Sequence, residues 1–287
     1  MSKFPVWLRN ELPDKKVPVY MVSLLQELNL NTVCQSARCP NIGKCFSNKR
    51  ATFMILGNIC TRNCTFCAIK KGIPQKIDKN EPLNIAHACI KLGIRHAVVT
   101  SVTRDDLPLG GAEQFAQVIK EIKKFNNKII IEVLTPDFSG NIESLDIIAS
   151  NEPNIFNHNI ETVQSLYPKI RPMANYKQSL DVLKKIKEIK PDIFTKSGIM
   201  VGLGEKKEEV YEVMRNLRKI NCDILTIGQY LQPAFDNFPV NEYIPPEVFA
   251  DYKIKAQELG FKYVASAPLV RSSFEAEEFS WEAGLLS

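Results

Sequence analysis

The stretch that decides the fold is Thr52-Phe-Met-Ile-Leu-Gly-Asn-Ile-Cys60-Thr-Arg-Asn-Cys64-Thr-Phe-Cys67. It opens with an apolar run at residues 52–56 that is typical of a buried strand. Three cysteines follow at once with the spacing C-x3-C-x2-C. Beyond them, short strand-like runs alternate with amphipathic helical stretches along the chain. This alternation predicts a parallel sheet with right-handed helical crossovers.

Six strand–helix units account for the alternation. The predicted strands are residues 52–56, 96–100, 129–134, 154–157, 194–201 and 224–228. The predicted helices are residues 84–92, 113–125, 142–150, 178–190, 206–220 and 246–259. The fold class is therefore α/β, a partial (β/α)6 TIM-type barrel, with function expected at the carboxyl ends of the strands. Residues 261–267 form a further candidate extended segment.

Three segments divide the chain. Residues 1–50 contain one clear helix, at 20–28, and are expected to pack on the barrel as an N-terminal extension rather than to form an independent domain. The barrel is predicted to span residues 51–265, and residues 266–287 form a C-terminal segment.

Composition excludes several classes of protein. Hydrophobic residues make up 45% and charged residues 24% of the 287, as in a globular protein and unlike a disordered one. No apolar run reaches the ~18–20 residues of a membrane helix. The net charge of +5 is too small to indicate nucleic-acid binding. The first residues carry scattered charges and no apolar core, so a cytoplasmic location without a secretory signal is expected.

The eight cysteines fall into two triplets and two single residues. Cys34, Cys39 and Cys45 have the spacing C-x4-C-x5-C, and the second triplet is Cys60, Cys64 and Cys67. The two single residues, Cys89 and Cys222, lie in apolar contexts and are expected to be buried core residues.

Metal binding is the favoured use of the triplets, because disulfides are rare in a cytosolic protein. Structural zinc needs four ligands, whereas each triplet supplies three and the three histidines lie outside both. A six-cysteine zinc cluster stays open as an alternative. Three thiolates suit a [4Fe–4S] cube better, since its fourth iron is left open to a chelating small molecule.

Polar residues at the strand ends are candidates for ligand contacts. Ser101 lies in a polar, glycine-rich segment after the second strand. Asn159 and Glu161 follow the fourth strand and suit either a ribose or amine ligand or the capping of a helix. Gly202 and Glu205 belong to a glycine string after the fifth strand that permits close approach of a ligand or a tight turn.

The second triplet, with Phe66 just before its last cysteine, resembles the radical S-adenosylmethionine (SAM) superfamily. Members of that superfamily bind SAM through its amino and carboxylate groups on the open iron. The resemblance implies that Cys60, Cys64 and Cys67 are catalytic and hold a [4Fe–4S] cluster. The cofactor-binding residues are then predicted to be Phe66, Ser101, Asn159, Glu161, Gly202 and Glu205.

Two further motifs resemble the lipoyl synthase family. The first is Cys34-Gln-Ser-Ala-Arg-Cys39-Pro-Asn-Ile-Gly-Lys-Cys45, which is similar to its auxiliary-cluster motif. The second is Arg271-Ser-Ser-Phe274, which is similar to its Arg-Ser-Ser-Tyr motif. The resemblance extends over nearly the whole chain. It implies a second [4Fe–4S] cluster on Cys34, Cys39 and Cys45, with Ser273 as a catalytic fourth ligand and the C-terminal segment closing that site.

The implied activity is that of a radical SAM sulfurtransferase. An electron entering the cluster on Cys60, Cys64 and Cys67 cleaves SAM to methionine and a 5′-deoxyadenosyl radical. The radical removes hydrogen from C6 of an octanoyl chain on a protein lysine, and a second SAM repeats this at C8. Sulfur comes from the auxiliary cluster, which is consumed. The barrel holds the carbon beside the radical and excludes water.

The implied partners follow from that activity. They are octanoylated lipoyl carrier domains (the glycine-cleavage H protein and the acyltransferase subunits of 2-oxoacid dehydrogenases), a low-potential reductant such as ferredoxin or flavodoxin, and an iron–sulfur carrier that renews the auxiliary cluster. Neither nucleic acid nor a membrane is expected as a partner, and the resemblance favours a monomer.

The chain departs from the family near the auxiliary motif. Phe274 replaces the usual tyrosine. Gln35 and Ser36 stand where acidic residues are common, and Lys44 and Phe46 replace a frequent Glu-Trp pair. With Arg38 close by in the sequence, we expect a more positive auxiliary site and a higher reduction potential of its cluster.

Three rival interpretations remain. One is another two-cluster radical SAM sulfurtransferase, resembling biotin synthase or a methylthiotransferase, although these lack the C-x4-C-x5-C triplet paired with a terminal Ser-Ser. The second is a non-catalytic iron–sulfur carrier, which has no use for an open iron. The third is a zinc-binding module, which would contain zinc and no sulfide.

Overall fold

The computed structural model describes residues 4–12, 16–273, 276–282 and 284–285. Phe274 lies outside these residues. The strands are β1 (Asn31–Thr32), β2 (Thr52–Ile55), β3 (Ile59–Cys60), β4 (Lys70–Lys71), β5 (His96–Ser101), β6 (Ile130–Leu134), β7 (Ile155–Asn157), β8 (Phe194–Val201), β9 (Ile224–Gln229) and β10 (Tyr263–Ser266). The helices are α1 (Val6–Glu11), α2 (Val19–Glu27), α3 (Val33–Ser36), α4 (Ile42–Ser47), α5 (Glu81–Leu92), α6 (Ala112–Phe125), α7 (Ile142–Ser150), α8 (Tyr167–Ile170), α9 (Tyr176–Ile189), α10 (Lys207–Lys219), α11 (Pro246–Glu258) and α12 (Ala276–Glu282).

Eight of the described strands form one sheet in the order β1-β2-β5-β6-β7-β8-β9-β10. All neighbours from β2 to β10 pair in parallel, and only β1 pairs antiparallel, with Thr32 opposite Phe53. A long helix follows each of β2, β5, β6, β7, β8 and β9. The predicted partial (β/α)6 barrel is confirmed.

The main differences from the predicted elements lie at their ends. The candidate at residues 261–267 is strand β10, a seventh parallel strand that pairs with β9. Helix α5 begins at Glu81, three residues before its predicted start, because Pro82 lies in its first turn, where proline is tolerated. It ends at Leu92, and the next residue, Gly93, adopts the left-handed conformation (φ 66°) of a helix C-cap.

The N-terminal extension shares the hydrophobic core of the barrel. Met21, Leu25 and Phe46 are buried in the same cluster as Phe53 and Ile85. Burial of this apolar surface is what holds the extension on the barrel. The boundaries at residues 50 and 265 stay predictions. No helix in the described part of the chain is both long and apolar enough to span a membrane.

Helix α12 closes the amino-terminal end of the barrel. Phe279 packs into a small core made by the first residues of several strands: Ile130, Ile155, Phe194, Ile224 and Tyr263. The Ser280 hydroxyl lies 2.9 Å from His96 Nδ1 at the start of β5. Glu277 forms 2.6 Å ion pairs with Arg50 and Arg95. The C-terminal segment therefore seals the end of the barrel opposite the one where barrel function is expected.

A buried ion pair lies inside the barrel. Lys196 on β8 donates to Glu132 on β6 over 2.9 Å, and Asn157 donates to the same carboxylate over 2.8 Å. His96 Nε2 lies 3.3 Å from it. Burial by itself would raise the pKa of Glu132, but Lys196 and His96 lower it to about 2. Glu132 is therefore an ionised carboxylate in the barrel interior, and Lys196 is its charge partner.

Candidate functional site

The second triplet lies in a loop at the carboxyl end of β2. The loop is anchored by backbone hydrogen bonds to three other parts of the chain. Thr61 donates to Thr103 after β5 (3.1 Å), Thr65 donates to Ile170 in α8 (3.0 Å), and Phe238 after β9 donates to Thr65 (2.9 Å). These contacts hold the loop of Cys60, Cys64 and Cys67 at the end where a barrel carries its function.

Arg62, between the first two cysteines of this loop, was not singled out by the sequence. Its guanidinium donates to both oxygens of Asp105 (2.8 Å each) and to Asp137 (2.9 Å). Burial would raise the pKa of Asp137, but Arg62 lowers it to about 2. A bidentate pair of this kind fixes geometry as well as charge. Arg62 therefore ties the cysteine loop to the ends of β5 and β6.

The thiols of the second triplet lie in a weakly solvated environment. Burial raises the pKa of Cys67 to about 12, with the neighbouring Cys64 and Cys60 adding to the effect. Burial likewise raises the pKa of Cys64, although Arg171 opposes the shift. Because a ligating cysteine is a thiolate, iron must displace these protons when it binds.

The first triplet surrounds a cavity of about 500 Å³ that also contains Ser273. Cys34 lies in α3 and Cys45 in α4, while Cys39 lies between them. Thr52 donates to the Ser273 hydroxyl over 2.7 Å, and Asn41 donates to the Leu269 carbonyl over 2.8 Å. The fold therefore brings the C-terminal serine and the three N-terminal cysteines to one cavity, and the ligand role of Ser273 stays a prediction.

This cavity lies at the amino-terminal end of the barrel. Its wall includes Thr52, the first residue of β2, and the segment leading into β5: Gly93, Ile94, Arg95 and His96. The second triplet follows the other end of β2. The second triplet therefore lies at the carboxyl ends of the strands, where barrel function is expected, and the first triplet lies at the opposite end.

Charge around the first triplet comes from several basic residues. Burial raises the pKa of Cys34 to about 11 and that of Cys45 to about 12, and for Cys45 the charges of Lys44 and Arg50 oppose the shift. Arg271 lines the same cavity. Phe46 is instead fully buried in the hydrophobic core. The expected rise in reduction potential stays a prediction.

Asn159 and Glu161 do not cap a helix. The chain continues β7 beyond Asn157 as an isolated bridge between Glu161 and Ile199, and the next helical turn begins only at Gln164. The capping alternative is therefore wrong. Glu161 has a left-handed backbone (φ 69°), which is costly for a residue with a side chain and typical of functional sites.

Two of the predicted cofactor contacts have buried polar atoms without a partner among the described residues. They are Ser101 Oγ and Asn159 Oδ1. Such atoms are rare in native proteins unless a ligand or water satisfies them. The amide oxygen of Asn159, which accepts, and the hydroxyl of Ser101, which can donate or accept, therefore fit a polar ligand such as SAM. Arg171, which the sequence did not indicate, is buried and donates to the Asn159 carbonyl (3.1 Å), which helps to hold this segment in place.

Gly202 and Glu205 have evident roles within the loop after β8. The Glu205 carboxylate accepts hydrogen bonds from the Gly202 (2.6 Å) and Leu203 (2.9 Å) backbone amides. A Cβ at Gly202 would collide with Gln229 and the Glu242 carbonyl. Phe66 packs against the apolar cluster that contains Leu203. Direct contact of these three residues with a cofactor stays a prediction.

The two single cysteines are core residues, as predicted. Cys89 is 1% and Cys222 is 0% exposed, and burial raises the pKa of each thiol to about 12. Within the described ranges, no three His, Cys, Asp or Glu side chains converge on a point that would hold a single metal ion.

The buried His158 should make the stability of the folded chain depend on pH. It is 2% exposed, with Nδ1 bonded to the Thr135 carbonyl (2.9 Å). Burial, reinforced by Arg171, lowers its pKa from 6.5 to about 4, so the folded chain keeps it neutral while the unfolded chain takes up a proton. The free energy of unfolding should therefore fall as the pH drops below 7. The protonation of this one residue in the unfolded chain should lower it by about 2 kcal/mol between pH 7 and pH 5.

The measurement is urea unfolding of the cluster-free chain at pH 7, 6 and 5. His158→Gln should have a shallower pH dependence than the parent chain by that amount. Equal slopes for the two chains would contradict the role assigned to the buried imidazole.

Comparisons with known proteins show the family of the chain. The Radical SAM superfamily profile matches residues 54–217. The chain is 55% identical to the lipoyl synthase of Caldicellulosiruptor saccharolyticus over 96% of its own length and 97% of the relative's. It is 54% identical to the lipoyl synthase of Alkaliphilus metalliredigens, covering 97% of this chain and 96% of that one.

The chain belongs to the lipoyl synthase family. Lipoyl synthases are sulfur-inserting radical SAM enzymes, and this chain is one of them. Membership of the radical SAM superfamily implies a [4Fe–4S] cluster and SAM as cofactors.

Solved structures support the fold of this lipoyl synthase. Methylornithine synthase superposes with a TM-score of 0.57 at 14% identity, covering 88% of this chain and 84% of that one. Streptococcus suis SuiB bound to SAM superposes with a TM-score of 0.60 at 12% identity, covering 88% of this chain and 61% of that one. At such low identity the likeness concerns the barrel alone.

Proposed function

We propose that Cys60, Cys64 and Cys67 hold the cluster that binds and cleaves SAM, and that Cys34, Cys39, Cys45 and Ser273 hold a second [4Fe–4S] cluster that supplies sulfur. The observation that carries this proposal is that Ser273 and the three N-terminal cysteines line the same cavity. Structural zinc sites are built from Cys and His, so a serine at this cavity does not suit one. The Ser273 oxygen would be a hard ligand for iron beside three soft thiolates.

The substrate is an octanoyl chain on a lysine of a lipoyl carrier domain, which receives sulfur at C6 and C8. When bound, the clusters and SAM supply an electron, a carbon radical and sulfide. The two triplets lie at opposite ends of β2, whose four residues span roughly 13 Å. An acyl chain that meets both sites must therefore lie inside the barrel alongside this strand.

The residues of the chain position and shield these groups. Arg62 holds the loop of the second triplet against Asp105 and Asp137. Ser101 and Asn159 offer polar atoms to SAM at the carboxyl end. Helix α12 closes the opposite end, which keeps water from reactive carbon. Two SAM molecules are used per product, one for each carbon.

Octanoylated glycine-cleavage H protein and the acyltransferase subunits of 2-oxoacid dehydrogenases are the proposed carriers. A ferredoxin or flavodoxin would supply electrons, and an iron–sulfur carrier would renew the auxiliary cluster. The modest net charge of +5 suits an acidic carrier domain. We further propose a cytoplasmic monomer.

The test is anaerobic reconstitution with iron and sulfide, followed by reaction with SAM, a low-potential reductant and an octanoyl-lysine peptide. We expect ~8 Fe per chain with matching sulfide. Mass spectrometry should detect 5′-deoxyadenosine and a peptide with two added sulfurs. Zinc without sulfide, or about four Fe in a fully reconstituted chain, would overturn the two-cluster proposal.

A further inference from the structure

The segment after β10 turns into the barrel and packs directly on β9. The Gln229 amide donates to the Pro268 carbonyl over 3.1 Å. A Cβ on Gly228 would lie 2.1 Å from the Val270 carbonyl oxygen, so any other residue there would push the segment away. The close approach of residues 267–273 to the barrel interior therefore depends on the glycine at position 228 in β9.

Two adjacent serines of this segment contact the two proposed cofactor sites. Ser272 Oγ accepts a 2.6 Å hydrogen bond from Asn159 Nδ2, at the strand end proposed to bind SAM. Ser273 Oγ accepts a 2.7 Å bond from Thr52, in the auxiliary cavity. Gly198 leaves the room for the first contact, because a Cβ there would lie 3.0 Å from Ser272 Oγ and 2.9 Å from Asn159 Oδ1.

We propose that Ser272 is a positioning residue, which holds Ser273 in the auxiliary site through its hydrogen bond with Asn159. Adjacent Cα atoms are about 3.8 Å apart, so fixing one serine limits where the next can lie. The Asn159 amide donates to Ser272 and also to Glu161 over 3.1 Å, which orients it from both sides. The inference rests on the proposed function, because it assumes that Ser273 ligates the auxiliary cluster.

The test uses a full-length chain with Cys60→Ala, Cys64→Ala and Cys67→Ala, which can bind only the auxiliary cluster. Electron paramagnetic resonance of the reduced protein then reports that cluster alone. We expect Ser272→Ala and Asn159→Ala each to shift its g values in the direction that Ser273→Ala does. The Asn159→Ala/Ser272→Ala double variant should shift them no further than either single change, since both remove the same bond.

Ser266→Ala is the matched control. Ser266, like Ser272, is a half-buried C-terminal hydroxyl; it donates one 2.7 Å hydrogen bond to the Phe249 carbonyl and does not line the auxiliary cavity. It should lower the unfolding midpoint as Ser272→Ala does and leave the spectrum unchanged. If Ser272→Ala does not fold, Asn159→Ala tests the same bond.

The outcomes separate the inference from the proposed function. If Ser273→Ala shifts the spectrum while Ser272→Ala and Asn159→Ala leave it unchanged, the positioning role is overturned and the ligand role stands. If Ser273→Ala also leaves it unchanged, Ser273 is not a ligand and both proposals fail. A shift caused by Ser266→Ala would overturn the specific role of Ser272.

Discussion

Replacing Cys60 with alanine is expected to abolish both 5′-deoxyadenosine and the sulfur-bearing product, whereas Cys34→Ala should abolish only the sulfur-bearing product. The physical reason is the separation of the two triplets by β2. Cys60 lies in the loop at the carboxyl end of that strand, and Cys34 lines the cavity at its amino end. Loss of a thiolate at one end leaves the other site intact, so SAM cleavage and sulfur transfer should fail independently.

The measurement is mass spectrometry of both products after anaerobic reconstitution. Cys39→Ala should behave as Cys34→Ala does, and because Cys39 is only half-buried it disturbs the core less. Cys89→Ala is the matched control, since it removes a buried thiol that belongs to neither triplet and should retain both products. A lipoyl product from Cys34→Ala or Cys39→Ala would mean that the two triplets have been assigned the wrong roles.

Lys196→Met is expected to lower the free energy of unfolding by about 3–5 kcal/mol. It leaves the Glu132 carboxylate, which is 0% exposed, without its lysine partner inside the barrel. The remaining partners are Asn157 and His96, and they do not replace the lost charge. Methionine fills a similar volume, so lost packing contributes little to the effect.

Denaturant unfolding of the parent chain and the variant measures this loss. Lys190→Met is the matched control: its ion pair with Glu152 has a similar length of 2.8 Å but lies on the surface, so little change is expected. The Glu132→Gln/Lys196→Met double variant removes both charges and should recover much of the stability. A Lys196→Met chain as stable as Lys190→Met would show that the buried carboxylate is not in the ionised state inferred here.

The barrel could be predicted from local patterns alone. Each strand–helix unit has its own apolar periodicity, and parallel pairing of successive units follows from general rules of chain connection. Strand β10 is harder to recognise because only four of its residues pair and only one of these four, Val264, is buried. Its place in the sheet depends on β9 beside it.

Part of the candidate site could likewise be predicted from local patterns, and part of it could not. Spacing along the chain is enough to group the six cysteines into triplets, because each triplet lies within a short segment. No local pattern joins Arg62 to Asp137 or Ser272 to Asn159, since these partners come from distant segments. The sequence also gives no sign that Arg171 is buried and bonded to Asn159, because no local pattern distinguishes it from a basic surface residue.

By itself, the sequence determined the α/β barrel, the two cysteine triplets and the family, since short-range spacing and periodicity carry that information. Only the tertiary structure decided that the triplets lie at opposite ends of β2, that helix α12 closes the amino-terminal end, and that Ser272 meets Asn159. Those facts depend on the direction in which β2 runs and on the path of the C-terminal segment. Both are set by packing between residues that are far apart in the chain.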